Sequence, residues 1–261
     1  MDNVSRRSFI KGLAVGSVAG YFAMAGVSST IFRKKFVASP ALGTVDIGEC
    51  KSVRIKVISE TSWFNNSILM KDIEKAGGLL VNQYEINWTT TGVEEGWNGN
   101  NAGGYATLIE VEQLDGTKKK YLLDTGWNVD WMDECFKREG IDRMLANREI
   151  EALIISHEHF DHFWGIESTL KHYPDIPVIV PKGFYEEGFR LLKGAEFPKC
   201  HLANKVPHTG PLEVRESGKV HKMIPGMATI TFDAGIQCQR QGNLPGDGLL
   251  PYGDYILYGT C

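Results

Sequence analysis

Ala152-Leu153-Ile154-Ile155-Ser156-His157-Glu158-His159-Phe160-Asp161-His162 runs from four apolar residues directly into three imidazoles and two carboxylates. A short apolar run bounded by polar residues predicts a strand buried on both faces. The residues after Ser156 are not what a hydrophobic core asks for. Side chains alternate across an extended chain, so His157 and His159 can share a direction, and a following turn can bring Asp161 and His162 to the same point. Imidazole nitrogen and carboxylate oxygen are ligands that zinc and similar divalent ions accept. The bland alternative is a polar loop with chance histidines; clustering at ligand spacing favours a metal site.

The pattern His-x-His-x-Asp-His resembles the signature of the metallo-β-lactamase-fold superfamily. That resemblance implies two divalent metal ions, zinc first, with iron or manganese also compatible. His157 and His159 would bind metal one, and Asp161 and His162 metal two. The diiron flavoprotein branch usually has Glu where this chain has His159, which argues against a redox diiron site. The apolar strand ending in Asp124-Thr125-Gly126 also resembles this fold, whose aspartate lies beside the metals. Physically, a buried carboxylate there can accept the free N–H of a ligand histidine and fix its tautomer. Asp161 would orient a metal-activated hydroxide and take up a proton, which makes it the catalytic candidate.

The fold class expected is α/β. Strands alternate with helices, and the resemblance supplies the architecture: an αβ/βα sandwich of two mixed sheets, helices outside, metals at one edge. Outward from the motif, Tyr105–Val111 and Lys120–Leu123 predict strands joined at Asp115-Gly116. Asn128 and Gly140 bracket a helix carrying Trp131, Met132, Cys135 and Phe136, and Ile141–Ala146 adds a further turn. Gly165 is small enough to let the backbone pass close to the metals. Ile166–Lys171 predicts a helix, Ile176–Val180 a strand, Phe184–Leu192 a helix, and Met227–Phe232 and Tyr255–Tyr258 late strands. On the N-terminal side, residues 53–58 predict a first strand and 68–76 a helix. Residues 92–104 predict a polar loop, with Trp97 equally suited to substrate contact or to solvent.

The 261 residues carry 43% hydrophobic residues and a net charge of −4. That supports a packed core and gives no bulk electrostatic reason to expect a nucleic-acid partner. Cysteines at 50, 135, 200, 238 and 261 form no CxxC pair. Cys135 reads as a small core hydrophobe; Cys200-His201 stays unassigned. His172, before Tyr173-Pro174, reads as a surface residue; His201, His208 and His221 are isolated, with His208 the best placed of the three for a substrate-facing turn.

Ser5-Arg6-Arg7-Ser8-Phe9-Ile10-Lys11 precedes an apolar, Gly/Ala-rich stretch, the layout of a charged n-region and an h-region. It resembles a twin-arginine export signal. The expected organisation is a signal peptide over 1–35, a linker over 36–51 and the metal-binding domain over 52–261. Export to the periplasm would use the twin-arginine translocase as a transient partner; an uncleaved membrane anchor is the alternative. Within the superfamily the layout is most similar to a dihydropterin-ribofuranosylaminobenzene-phosphate-synthase-like group, which carries Gly-Cys-x-His-x-Gly after a late strand. Here Tyr258-Gly259-Thr260-Cys261 stands at the corresponding place, so the fold is expected to be incomplete at the C-terminus, as in a fragment. The function expected is a metal-dependent hydrolase acting on an ester, amide or phosphoester small molecule. The alternatives are a non-hydrolytic pterin-related transferase or synthase, for whose phosphate Lys182, Arg190 and Lys193 are candidates, and a truncated inactive relative.

Overall fold

The computed structural model describes residues 45–60, 72, 74–77, 82–88 and 103–232, and the backbone of 255–260. The proposed signal peptide, Trp97, Cys238 and Cys261 lie outside them. Among the described residues no helix is long and apolar enough to cross a membrane.

The strands among the described residues are β1 (Ser52–Ser59), β2 (Ala106–Glu112), β3 (Lys118–Leu123), β4 (Ile150–Ile154), β5 (Val178–Pro181), β6 (Glu196–Phe197), β7 (Leu202–Ala203), β8 (Leu212–Arg215), β9 (Val220–Ile224), β10 (Met227–Phe232) and β11 (Tyr255–Thr260). The helices are α1 (Val129–Glu139), α2 (Ile141–Ala146), α3 (Phe160–Phe163), α4 (Glu167–Leu170) and α5 (Glu186–Leu192). The main sheet has the order β1-β2-β3-β4-β5-β8. It is mixed: β1 to β3 run antiparallel, while β3, β4, β5 and β8 are parallel.

The apolar run behaves as its composition demands. Ala152, Leu153, Ile154 and Ile155 are all buried, with Leu153 and Ile155 in the core under the helices and Ala152 and Ile154 on the opposite face. The β3–β4 register slips where Lys120 pairs with Ile150 and Tyr121 with Ala152, leaving Glu151 as an extra residue. Such a bulge lets Ile150 and Leu153 both reach the helix-side core despite the period of two.

That helix-side core takes Met132, Cys135 and Phe136 from α1, Ile141 and Leu145 from α2, and Leu191 and Leu192 from α5. The Asn128 side chain accepts from the Trp131 amide at 2.8 Å, and Gly140 closes α1 at φ 72°. Both ends of α1 are therefore capped as its sequence predicts. On the other face, Ile109, Tyr121, Leu123, Ile154 and Ile179 meet Met227 of β10 and Met223 and Ile224 of β9. The strands of this second layer, in the order β11-β10-β9, are antiparallel. Arg215 of β8 ties the layers together: it is buried, pairs with both oxygens of Glu213 and donates to Thr229 Oγ1 of β10.

Several boundaries move. Pro177 and Pro211 flank the β5–β8 pairing, so β5 starts at Val178 and takes in Pro181. The helix expected from Ile166 begins as a 3-10 turn, Trp164–Ile166, bent at Gly165 before α4. The helix expected from Phe184 starts at Glu186, because Phe184 packs inward on Phe163 at 4.9 Å. Of the helix expected over 68–76, residues 72 and 74–76 are described and are helical.

Candidate metal centre

Two neighbouring parallel strands, β3 and β4, end side by side, and the polar residues gather at their carboxyl ends, where sheets of this kind expose loops to ligands. β3 passes into Asp124-Thr125-Gly126. Asp124 sits at φ 60°, in the left-handed region that Asp tolerates better than most residues, and its amide donates to the Ile154 carbonyl at 2.9 Å. The next residues stitch this turn to α3. Thr125 N donates to His162 O at 2.8 Å, Thr125 Oγ1 to Phe163 O at 3.1 Å, and Gly165 N to Gly126 O at 2.8 Å. A Cβ on Gly165 would run into the Thr125 carbonyl oxygen. The small residue is thus required by the close approach of the Thr125–Gly126 backbone.

Asp124 has no exposed surface and orders the protons of the site. Its Oδ1 accepts from Ser156 N at 2.6 Å; its Oδ2 accepts from Ser156 Oγ at 2.6 Å and lies 2.7 Å from His162 Nδ1. A carboxylate only accepts, so His162 carries its proton on Nδ1 and turns a bare Nε2 outward. Ser156 has one hydroxyl proton and gives it to Asp124. Its oxygen, 2.9 Å from His157 Nδ1, is then the acceptor for His157 Nδ1–H. His157 is left, like His162, with a bare Nε2. One buried carboxylate sets both tautomers, the first directly and the second through Ser156.

The rings converge. His157 and His162 have centroids 4.1 Å apart, and His157 and His159 meet edge to face at 4.5 Å. Asp161 Oδ2 lies 3.6 Å from His162 Nε2. His157 Nε2 is 2.9 Å from His159 Nδ1. Among the described residues no three such donors form a ready cage; the two rings hydrogen-bond each other and would part to share an ion. Burial, reinforced by His162, holds His157 and His159 well below the ordinary imidazole value, so both are neutral, the form that ligates metal. Burial pulls His162 down too, but the Asp124 charge and hydrogen bond outweigh it and raise its pKa above the ordinary value. Burial raises the Asp161 carboxyl, with His162 pulling partly the other way. By chemistry, His157, His159, Asp161 and His162 fit divalent cations: three imidazoles and one carboxylate at one point, with the partner of the remaining ring nitrogen already in place for His157 and His162.

The remaining candidates separate. His208 Nε2 donates to the Ile176 carbonyl at 2.7 Å, fastening the loop before β8, so its expected substrate-facing role gives way to a structural one. His221 Nε2 lies 3.2 Å from Glu216 O, and His201 is an exposed residue at φ 56°. Cys135 and Cys200 are buried, and burial pushes both thiols up, Cys200 to about 12, the opposite of a reactive thiolate. Lys182 pairs with Glu216 at 2.9 Å, and Arg190 lies over the Phe197 ring at 5.1 Å, so neither has the setting of a dedicated phosphate site.

Sequence reasoning passed over Ser156, Glu158, Gln83 and Tyr84. Glu158 is inside the motif yet points away from the imidazoles. It is buried, accepts from Tyr84 Oη at 2.9 Å, and accepts from the Tyr185 amide just before α5. Alternation along an extended chain places it opposite its two histidine neighbours, and that was the available signal. Gln83 and Tyr84 belong to no motif, and their proximity comes only from folding.

Residues 100–228 match the sequence model of the metallo-beta-lactamase superfamily. A hydroxyacylglutathione hydrolase of Pectobacterium carotovorum is 50% identical over 32 residues, 12% of this chain and 13% of its own. Another, from Hamiltonella defensa, is 26% identical over 87 residues, 33% of this chain and 34% of its own. The chain thus spans about a third or less of these relatives' length. Among solved structures, a B3 metallo-β-lactamase with an active-site glutamic acid is similar at 17% identity and TM-score 0.38, covering 61% of this chain and 52% of its own. A metallo-β-lactamase of Cronobacter sakazakii with a HARLDQ motif is similar at 14% identity and TM-score 0.34, covering 58% of this chain and 52% of its own.

Proposed function

From the match of residues 100–228 to the metallo-beta-lactamase superfamily model, we propose that this protein is a metal-dependent hydrolase of ester, amide or phosphoester bonds in a small molecule. Proteins of this superfamily usually bind metal ions, often zinc. The observation that carries the reading is the pairing of convergent imidazoles with one buried carboxylate, Asp124, which accepts from His162 Nδ1 directly and orients His157 through Ser156, so that both rings turn Nε2 toward the cluster. His157, His159, Asp161 and His162 would hold the cations. When bound, such ions acidify water and so supply a nucleophile at neutral pH.

The protein's own groups do the rest. Asp124 fixes the direction and tautomer of His157 and His162 before any ion enters. Asp161, whose carboxyl burial pushes toward the protonated form, is suited to orient the nucleophile and accept its proton. Phe160, Phe163 and Trp164, which follow His159 in the chain, are buried in the helix-side core.

Export by the twin-arginine route to the periplasm belongs to the same proposal, supported by Arg6-Arg7 and the apolar stretch after them. The likeness to the dihydropterin-ribofuranosylaminobenzene-phosphate-synthase-like group would place a pterin substrate in the same site; Lys182 and Arg190, engaged elsewhere, give it no support.

The experiment is metal analysis of purified protein with and without chelator, followed by carboxylester, thioester, lactam and phosphodiester assays. Chelator-sensitive turnover restored by Zn(II), and abolished in His157→Ala, is expected. Activity indifferent to both would overturn the reading.

A further inference from the structure

The backbone that carries His159 is gripped by a side chain from far earlier in the chain. Gln83 Nε2 donates to the Glu158 carbonyl at 2.7 Å, and the Phe160 amide donates to Gln83 Oε1 at 2.9 Å. One carboxamide therefore pairs with the peptide groups on both sides of His159, as a neighbouring strand would. His159 is the residue where extended chain turns into α3, at φ −61° and ψ 146°. Among the described residues no regular strand holds it there: β4 ends at Ile154.

Gln83 is itself held. The Asn82 side chain accepts from Tyr84 N at 3.1 Å, setting the 3-10 turn Gln83–Glu85. Trp88 Nε1 donates to the Gln83 carbonyl at 3.0 Å while its ring stacks on Phe160 at 4.9 Å. Tyr84, buried, packs on Phe197 at 4.7 Å and donates to Glu158 Oε1. The Gln83 carboxamide thus arrives with its donor and acceptor already aimed. Residues 82–88 precede the stretch matched by the superfamily model.

We propose that Gln83 is a positioning residue for His159, setting the direction of that imidazole toward the ion shared with His157. His162 is set separately, by Asp124. The geometry stands on its own; the consequence for metal rests on the functional reading above.

The test uses the full chain and two variants. Gln83→Met keeps length and loses both hydrogen bonds. Gln83→Glu keeps an acceptor for Phe160 N but offers Glu158 O a second acceptor in place of a donor. In the metal-free protein, hydrogen exchange at the Phe160 amide should quicken at least tenfold in Gln83→Met, and the ring resonances of His159 should shift while those of His162 stay. Zn(II) affinity by chelator competition should fall about tenfold in Gln83→Met, as for other groups that orient metal ligands. A wild type that binds no Zn(II) would sink the metal reading and leave the exchange result to decide the grip. Unchanged Phe160 exchange and unshifted His159 in a folded Gln83→Met would overturn the proposal. Should Gln83→Met not fold, Gln83→Glu decides: a His159 shift without a His162 shift supports it, and equal shifts in both refute it.

Discussion

Asp124→Asn changes almost no volume and keeps a residue type that tolerates φ 60°. Its consequences follow from proton counting. The amide oxygen can still accept from Ser156 N. The NH2 group faces Ser156 Oγ and His162 Nδ1, where the carboxylate accepted at 2.6 and 2.7 Å. An amide that donates to His162 Nδ1 forces the proton to Nε2, the atom that should be bare for metal. Two charge-assisted hydrogen bonds become neutral or reversed, a loss of about 2 kcal/mol of stability in the metal-free protein. Burial is already the largest single influence on His162; without the Asp124 charge only Asp161 opposes it, and the pKa should cross from above the ordinary imidazole value to below it. Zn(II) affinity should drop about 10- to 100-fold. Urea unfolding of the metal-free protein, long-range 15N correlation of the His162 ring, and Zn(II) competition read the three effects separately. An Asp124→Asn protein that keeps the Nδ1–H tautomer at His162 and binds Zn(II) within about twofold of wild type would refute the proton ordering.

Other outcomes are expected from the same geometry. Gly165→Ala should cost about 3 kcal/mol in thermal or urea unfolding, since its Cβ would meet the Thr125 carbonyl, which is backbone and cannot step aside. His208→Ala removes a hydrogen bond to the Ile176 carbonyl and should cost about 1 kcal/mol with no change in Zn(II) affinity; a large loss of affinity would return His208 to the site. The metal-free protein should be most stable near the ordinary imidazole pKa. His157 and His159 have folded pKa values below 6.5, so the unfolded chain binds more protons and stability is lost as pH falls below that value. His162 has a folded pKa above 6.5, so its contribution is lost as pH rises through that higher value. Each group can contribute a slope of about 1.4 kcal/mol per pH unit at most, and a urea series across pH checks the sign on both sides.

Much of this was legible from residue order. The run Ala152–Ile155 is apolar at every position because both faces of β4 are covered, a condition that composition alone reveals. The caps of α1 were readable because Asn128 and Gly140 act through backbone groups within a turn of themselves. The imidazole cluster was readable because its members are neighbours in sequence as well as space. The boundaries of β5 and α5 were not, because Pro181 joins the β5–β8 pairing and Phe184 spends its side chain on Phe163.

The sequence by itself determined that His157, His159, Asp161 and His162 gather just past the end of a buried strand, since cluster and strand both depend on local order and alternation. Only the tertiary structure decided the proton arrangement and the grip on the loop. Asp124 lies 32 residues from Ser156, and Gln83 lies 77 from Phe160. Hydrogen bonds act over about 3 Å whatever the separation in sequence, so such partners become visible only once strand pairing has carried them together.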